Sequence, residues 1–250
     1  MNSQLASRLK LRYSPVAVLF TNEKPQTALE FVEQKWGCVA AMMTAAMKGR
    51  TIAFSRKTFG CLGGGVGLGF GNMYVRFPGG FPQFLSTGSG EGYPPGEAYK
   101  KTPELAQNFV DGLPLTDIPE QFVVFKPLTE VDPAQEEPKV IVFYANPDQL
   151  SALIVLTNYN RSGNENVAIP FAAGCQSFCL LPFQESFKDQ PRAVVGMADI
   201  SARPIIDADL LSFSVSLSLF KELESNVQGS FLDKHAWEKV AKRIPESHNV

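Results

Sequence analysis

Two stretches of the chain, Phe122-Val123-Val124-Phe125 and Val140-Ile141-Val142-Phe143-Tyr144, are apolar at every position. A strand with one wet face alternates apolar and polar residues. An unbroken apolar run of strand length therefore belongs in a sheet covered on both faces. The covering helices are legible elsewhere. A short amphipathic helix is predicted near residues 2–11, then a strand at Val16–Phe20 and a helix over about 25–35. Another helix runs from Cys38 to Lys48, with Gly49 just past its end. Thr51–Phe54 reads as a strand, and Met73–Phe77 as a short strand-like piece. Pro103 opens a helix capped by Thr102, and Asn146-Pro147 caps one over about 147–158. Ala193–Met197 is a further strand, and long helices are predicted over about 207–224 and from Asp233 to Ile244. Strands and helices interleave, so the expected class is α/β or α+β: a single globular domain over residues 1–250 with a mixed sheet flanked by helices. A glycine- and aromatic-rich insertion near residues 60–100 interrupts it.

Composition matters mainly for what it excludes. Hydrophobic residues make up 44% and charged residues 19%, the balance of a folded chain. A net charge of −2 argues against nucleic acid as a partner of the whole molecule. No run of 18 apolar residues occurs, so no membrane span is expected. The first twenty residues lack the apolar centre and cleavage site of a signal peptide, which makes the cytoplasm the expected compartment. The two histidines, His235 and His248, are too few and too peripheral for His-rich metal sites or nucleophile–His catalysis. Walker A, HExxH and GxSxG patterns are missing from the sequence. Charge is uneven along the chain: seven Lys/Arg against two Glu from Lys48 to Lys101, then two Lys against nine Asp/Glu from Thr102 to Leu150. The two segments read either as solvated faces of opposite sign or as a basic, glycine-rich segment facing an anion.

The four cysteines carry the chemistry. Cys38 follows Gly37 at a predicted helix start, where the helix dipole and free N–H groups favour thiolate. Cys61 sits in Phe59-Gly60-Cys61-Leu62-Gly63-Gly64-Gly65, a backbone able to come close to a bound group and donate N–H bonds. Cys175 and Cys179 lie in Gly174-Cys175-Gln176-Ser177-Phe178-Cys179; if that piece is helical, their i, i+4 spacing puts both sulfurs on one face. Four thiolates are the complement of a [4Fe–4S] cluster or a tetrahedral zinc. The intervals of 22, 113 and 3 residues match neither a ferredoxin run nor paired zinc knuckles. Separate core cysteines and, in an oxidising setting, a disulfide pair are the other readings. The glycine-rich surround favours a cluster over zinc.

Other features stay open. Gly63–Gly71 reads GGGVGLGFG, a poor dinucleotide fingerprint and a better loop around a bound group. Met42, Met43 and Met47 read as core. The aromatic, Pro/Gly-rich segment from Arg76 to Tyr99 reads as a lid or pocket wall, or as a loop packing its own phenylalanines. Arg203 either binds an anion or pairs with Asp199.

In order along the chain, several pieces resemble the prokaryotic family called domain of unknown function 169, or ArCR. They are Tyr13-Ser14-Pro15-Val16-Ala17-Val18, the cysteine-led helix to Lys48-Gly49-Arg50-Thr51, Phe59-Gly60-Cys61-Leu62-Gly63-Gly64, and Phe77-Pro78-Gly79-Gly80-Phe81. Gly96-Glu97-Ala98-Tyr99-Lys100-Lys101-Thr102-Pro103-Glu104, Asp199-Ile200-Ser201-Ala202-Arg203, Ser230-Phe231-Leu232 and Trp237 complete the resemblance. It implies no settled activity. It does imply cysteine at positions 38, 61 and 175, and an anaerobic setting that suits an oxygen-sensitive cofactor.

The leading expectation is thus a cytoplasmic iron–sulfur protein holding one [4Fe–4S] cluster through Cys38, Cys61, Cys175 and Cys179, acting in electron transfer or a redox reaction. The other is a non-redox binding module or enzyme, without a cofactor or with zinc, whose pocket takes a small anionic ligand. A homodimer or a redox partner protein is expected from the predicted helix over 207–224, whose apolar residues spread around most of its circumference.

Overall fold

The two apolar runs flank a third, and together they form the centre of a seven-stranded sheet. The computed structural model describes residues 1–244, so His248 lies outside the described residues. Its strands are β1 (Val16–Thr21), β2 (Ile52–Ser55), β3 (Phe122–Pro127), β4 (Val140–Ala145), β5 (Val167–Ala168), β6 (Ala193–Gly196) and β7 (Leu211–Ser216). They lie in the order β2-β3-β1-β4-β7-β6-β5. All neighbours are antiparallel except β5 and β6, so the sheet is mixed. In β1, Val18 stands opposite Phe125 on one side and Val140 on the other.

The helices are α1 (Gln4–Arg8), α2 (Val39–Met47), α3 (Leu62–Gly67), α4 (Phe81–Phe84), α5 (Pro103–Asp111), α6 (Pro147–Thr157), α7 (Leu181–Glu185), α8 (Leu217–Ser225) and α9 (His235–Ala241). A π-helical turn, Gln176–Leu180, leads directly into α7. The sheet has a core on each face, which is why its strands carry no polar alternation. Val16, Val18, Val140, Val142 and Tyr144 pack with α2, α3, α4 and the π turn. Ala17, Leu19, Ile141 and Phe143 pack with α1, α6, α8 and α9. The fold is α+β, a mixed sheet flanked by helices, as expected. Both predicted caps form: the Thr102 hydroxyl accepts from the Leu105 N–H, and Asn146 and Gln149 cap each other's backbone across the start of α6.

Four local expectations are corrected. Residues 25–35 form turns rather than a helix, because the edge strand β2 takes Leu29 as a partner: its N–H donates to the Thr51 carbonyl, and its carbonyl accepts from Ala53. Met73–Arg76 is a 3₁₀ turn, not a strand. Residues 62–67, expected as part of a loop, are helical despite four glycines. Residues 207–224 are not one helix. Leu211-Ser212-Phe213-Ser214-Val215-Ser216 alternates with period two, and Phe213 pairs with Phe143 across β4 and β7. Only 217–225 are helical. Apolar residues on every side of a helical wheel were here the signature of a strand followed by a helix, so the homodimer loses the basis it had in the sequence. Among the described residues no helix is long and apolar enough to cross a membrane.

Candidate functional site

Three of the four cysteines share one construction. Each follows a glycine, and each stands at the start of a helix. Cys38 is the N-cap of α2, and Cys61 is the N-cap of α3. Cys175 is in the first turn of the helical run that begins at Gly174 and continues through the π turn into α7. The glycines are needed for approach. A Cβ on Gly37 would lie 2.2 Å from the Phe31 ring. On Gly60, at φ +79°, it would lie 2.5 Å from the Gly37 carbonyl oxygen and 2.6 Å from the same ring. Phe31 thus clamps the two Gly-Cys pairs together from segments 22 residues apart. The third pair arrives against α3, where a Cβ on Gly67 would fall 2.7 Å from both Cβ and Sγ of Cys175.

The peptide between Gly63 and Gly64 links two of the thiols. The Gly64 N–H donates to Cys61 Sγ at 3.2 Å, and the Cys175 thiol donates to the Gly63 carbonyl at 3.1 Å. A trans peptide points its N–H and C=O in opposite directions, so the two sulfurs stand on either side of it. Among the described residues no three of His, Cys, Asp and Glu converge as the ligands of one ion do.

These cysteines form one wall of a cavity of about 740 Å³. Tyr74 stands beside them, stacked on Phe81 with ring centroids 3.6 Å apart. Its hydroxyl oxygen accepts from Gln176 Nε2 at 2.7 Å. Asp199 braces the third Gly-Cys pair by accepting from the Gly174 N–H at 3.2 Å, and its other oxygen accepts from the Ser201 hydroxyl at 2.8 Å. Phe77, Phe84, Tyr99, Phe109 and Phe171 also line it. The aromatic segment 76–99 is therefore a pocket wall and also packs its own rings, with Phe77 and Phe84 centroids 4.6 Å apart. Solvent-exposed Trp36 and Ile200 complete the lining on the outer side.

Burial dominates the electrostatics. The Cys61 thiol is raised above its ordinary pKa by desolvation, against the opposing Gly64 N–H bond. Desolvation raises Cys175 well above its ordinary range, and the charges of Cys61, Cys38 and Asp199 add to the shift. Tyr74 rises for the same first reason, with Cys175 and Cys61 adding to it. At Cys61 the loss of water outweighs the backbone N–H groups at the start of α3 that favour its thiolate.

Cys179 does not join this wall. It lies one turn beyond Cys175, 1% exposed in the core, where burial pushes its thiol up to about 12. All four cysteines are free thiols. Arg203 is also elsewhere: its guanidinium donates to the carbonyls of Leu210 and Ala208, and to neither an anion site nor Asp199. None of the seven basic residues of the Lys48–Lys101 segment lines the cavity; Arg56 pairs with Asp117. The repeated Gly-Cys pair was the readable signal in the sequence. Tyr74, Gln176 and Glu97 had none, since nothing local marks an isolated tyrosine, amide or carboxylate as facing a cavity.

A family model described as uncharacterised ArCR, the domain of unknown function 169, matches residues 4–226. No curated protein and no solved structure gives a significant match.

Proposed function

The chain belongs to the uncharacterised ArCR family, and we propose for it the role of an iron–sulfur redox protein that holds one [4Fe–4S] cluster through Cys38, Cys61 and Cys175. The observation that carries this reading is the meeting of three Gly-Cys pairs, from three separate helix starts, on one cavity wall. The donor set fits. Two thiolates on one zinc at about 2.3 Å each stand roughly 4 Å apart, whereas a cluster lies between its ligands and asks for the wider spacing that the Gly63–Gly64 peptide supports. Gly63, where an added Cβ would meet nothing nearer than the Tyr74 hydroxyl at 3.9 Å, leaves open space in the lining, and the Gly64 N–H already points at Cys61 Sγ. When bound, the cluster supplies one-electron transfer, and three cysteines leave one iron without a protein thiolate.

The chain's own residues do the rest. Cys38, Cys61 and Cys175 surrender their protons on loading, so uptake is favoured as pH rises. Asp199 holds Gly174-Cys175 in place, and the aromatic wall keeps water from the site. Tyr74 holds its proton at neutral pH beside the thiols. A reducing cytoplasm is the compartment in which free thiols of this kind persist, and a redox partner protein exchanges the electron.

Anaerobic purification and reconstitution, with iron, sulfide and visible absorption measured, test the proposal. Wild type is expected to carry four irons per chain. Cys38→Ala, Cys61→Ala and Cys175→Ala are each expected to lose most of the iron, while Cys179→Ala keeps it. A colourless, iron-free wild type after reconstitution overturns the reading. So does a Cys61→Ala variant that loads as well as wild type.

A further inference from the structure

The lining of the cavity is lopsided in charge. Apart from the cysteines and the phenols Tyr74 and Tyr99, its ionisable residues are Glu97 and Asp199, and none is lysine, arginine or histidine. The two carboxylates differ. Asp199 has both oxygens engaged, one by the Gly174 N–H and the other by Ser201 and the Tyr99 hydroxyl. Glu97 is half-buried, and its carboxylate has no hydrogen bond or ion pair among the described residues. Its backbone is pinned, with the N–H donating to the Phe84 carbonyl at 2.7 Å, so the side chain is carried on the aromatic wall itself. Lys100, three residues further along, stacks on Phe109 and Phe171 with Nζ 5.2 and 4.5 Å from their centroids; it is not part of the lining.

From this arrangement we infer that the cavity binds a small organic cation with a flat apolar body, the ammonium or other positive centre meeting Glu97 and the flat part lying among Phe77, Phe84, Phe109 and Phe171. A volume of about 740 Å³ is in the range of small-molecule sites. Ring faces attract cations through their quadrupole, most strongly where water is excluded. An anion would meet an unpaired carboxylate with no basic residue in the lining itself, the Lys100 ammonium being held on the Phe109 and Phe171 rings, so the anionic ligand expected from sequence is the class this wall disfavours. The inference deepens the redox reading by naming the substrate class of the same cavity, but the binding itself needs only the wall and Glu97.

Two probes with one ring system and opposite charge test it: tryptamine and indole-3-propionate, titrated calorimetrically into the full chain after anaerobic reconstitution with iron and sulfide, with iron measured on the same sample. Tryptamine is expected to bind at least tenfold tighter than indole-3-propionate. Glu97→Gln, at a half-buried wall position, is expected to fold with an unchanged circular dichroism spectrum and to lose most of that preference. Phe84→Leu is expected to weaken tryptamine severalfold. Equal or tighter binding of indole-3-propionate overturns the inference, as does an unchanged preference in Glu97→Gln or no binding of either probe. Because iron is read separately, an iron-free sample that still prefers tryptamine rejects the cluster and keeps the cation site. An iron-loaded sample without the preference does the reverse.

Discussion

Cys61, Cys175 and Cys179 all have thiol pKa values raised by burial, and this links the stability of the iron-free chain to pH. Unfolded thiols ionise near about pH 8.5. Above that point the unfolded chain has released protons that the native chain still holds, so stability falls as pH rises, until the raised native values are passed, which for Cys179 is about 12. The urea midpoint of iron-free protein is therefore expected to be level up to about pH 8 and to decline above it. Cys179→Ala should make the decline shallower, and a midpoint that rises with pH refutes the assignment. Gly67 poses a contest of magnitudes at the same scale. Alanine gains about 1 kcal/mol of helix propensity over glycine, but its methyl would meet Sγ of Cys175 at 2.7 Å and its backbone carbon at 2.8 Å. Overpacking costs about 1–3 kcal/mol, and a backbone atom yields little. Gly67→Ala is expected to destabilise the chain and to reduce iron uptake with all four cysteines intact, measured by urea melts and iron assay.

Among the elements, β7 and the π turn explain each other. Ser212, Ser214 and Ser216 project to the face on which the π turn lies, while Phe213 and Val215 project to the other. Small side chains on that face let the turn come close: a Cβ on Gly196 in the neighbouring β6 would fall 2.0 Å from Ser177 Oγ. The close approach leaves hydroxyls stranded. Tyr144, opposite Ser212, is wholly buried, and neither hydroxyl has a partner, nor does that of Ser214. A buried hydroxyl without a partner costs about 1–3 kcal/mol, and burial alone raises the Tyr144 pKa far above its ordinary value. Tyr144→Phe removes the stranded group and keeps the ring. It is expected to stabilise the protein by about 1 kcal/mol in urea unfolding. A loss of that size would show instead that the hydroxyl has a bound water as its partner.

For the whole molecule, the sheet separates two cores of different character. The face carrying α2, α3 and the Cys175 helix holds the buried methionines and cysteines among its valines and phenylalanines, and its cysteines come from segments 22 and 113 residues apart. The opposite face, under α6 and α8, is leucine, valine and phenylalanine. A group bound by the three cysteines ties down only the first face. Hydrogen exchange on loaded and iron-free protein is expected to differ in residues 38–47, 61–67 and 174–185. It should be the same in α6 and α8. Uniform loss of protection after iron removal would mean that the cysteines support the entire fold.

The central sheet, its two-sided burial and the caps of α5 and α6 were determined by the sequence alone, because strand-length apolar runs and Thr-Pro or Asn-Pro starts act locally. So were three of the site's members, marked by glycine before cysteine. Local pattern failed where a distant partner chose between alternatives. Residues 25–35 gave up a helix to pair with β2, and α3 formed from glycines because Cys175 needed the space. Residues 211–216 became a strand because β4 and β6 flank them. The separation of Cys179 from Cys175, the tethering of Arg203 and the unpaired carboxylate of Glu97 were decided only by the tertiary structure. The Glu97 carboxylate depends on which segments meet around a cavity wall and Cys179 on what packs over the π turn, while Arg203 turns on carbonyls five and seven residues away whose positions the chain's entry into β7 sets, and no residue spacing encodes these.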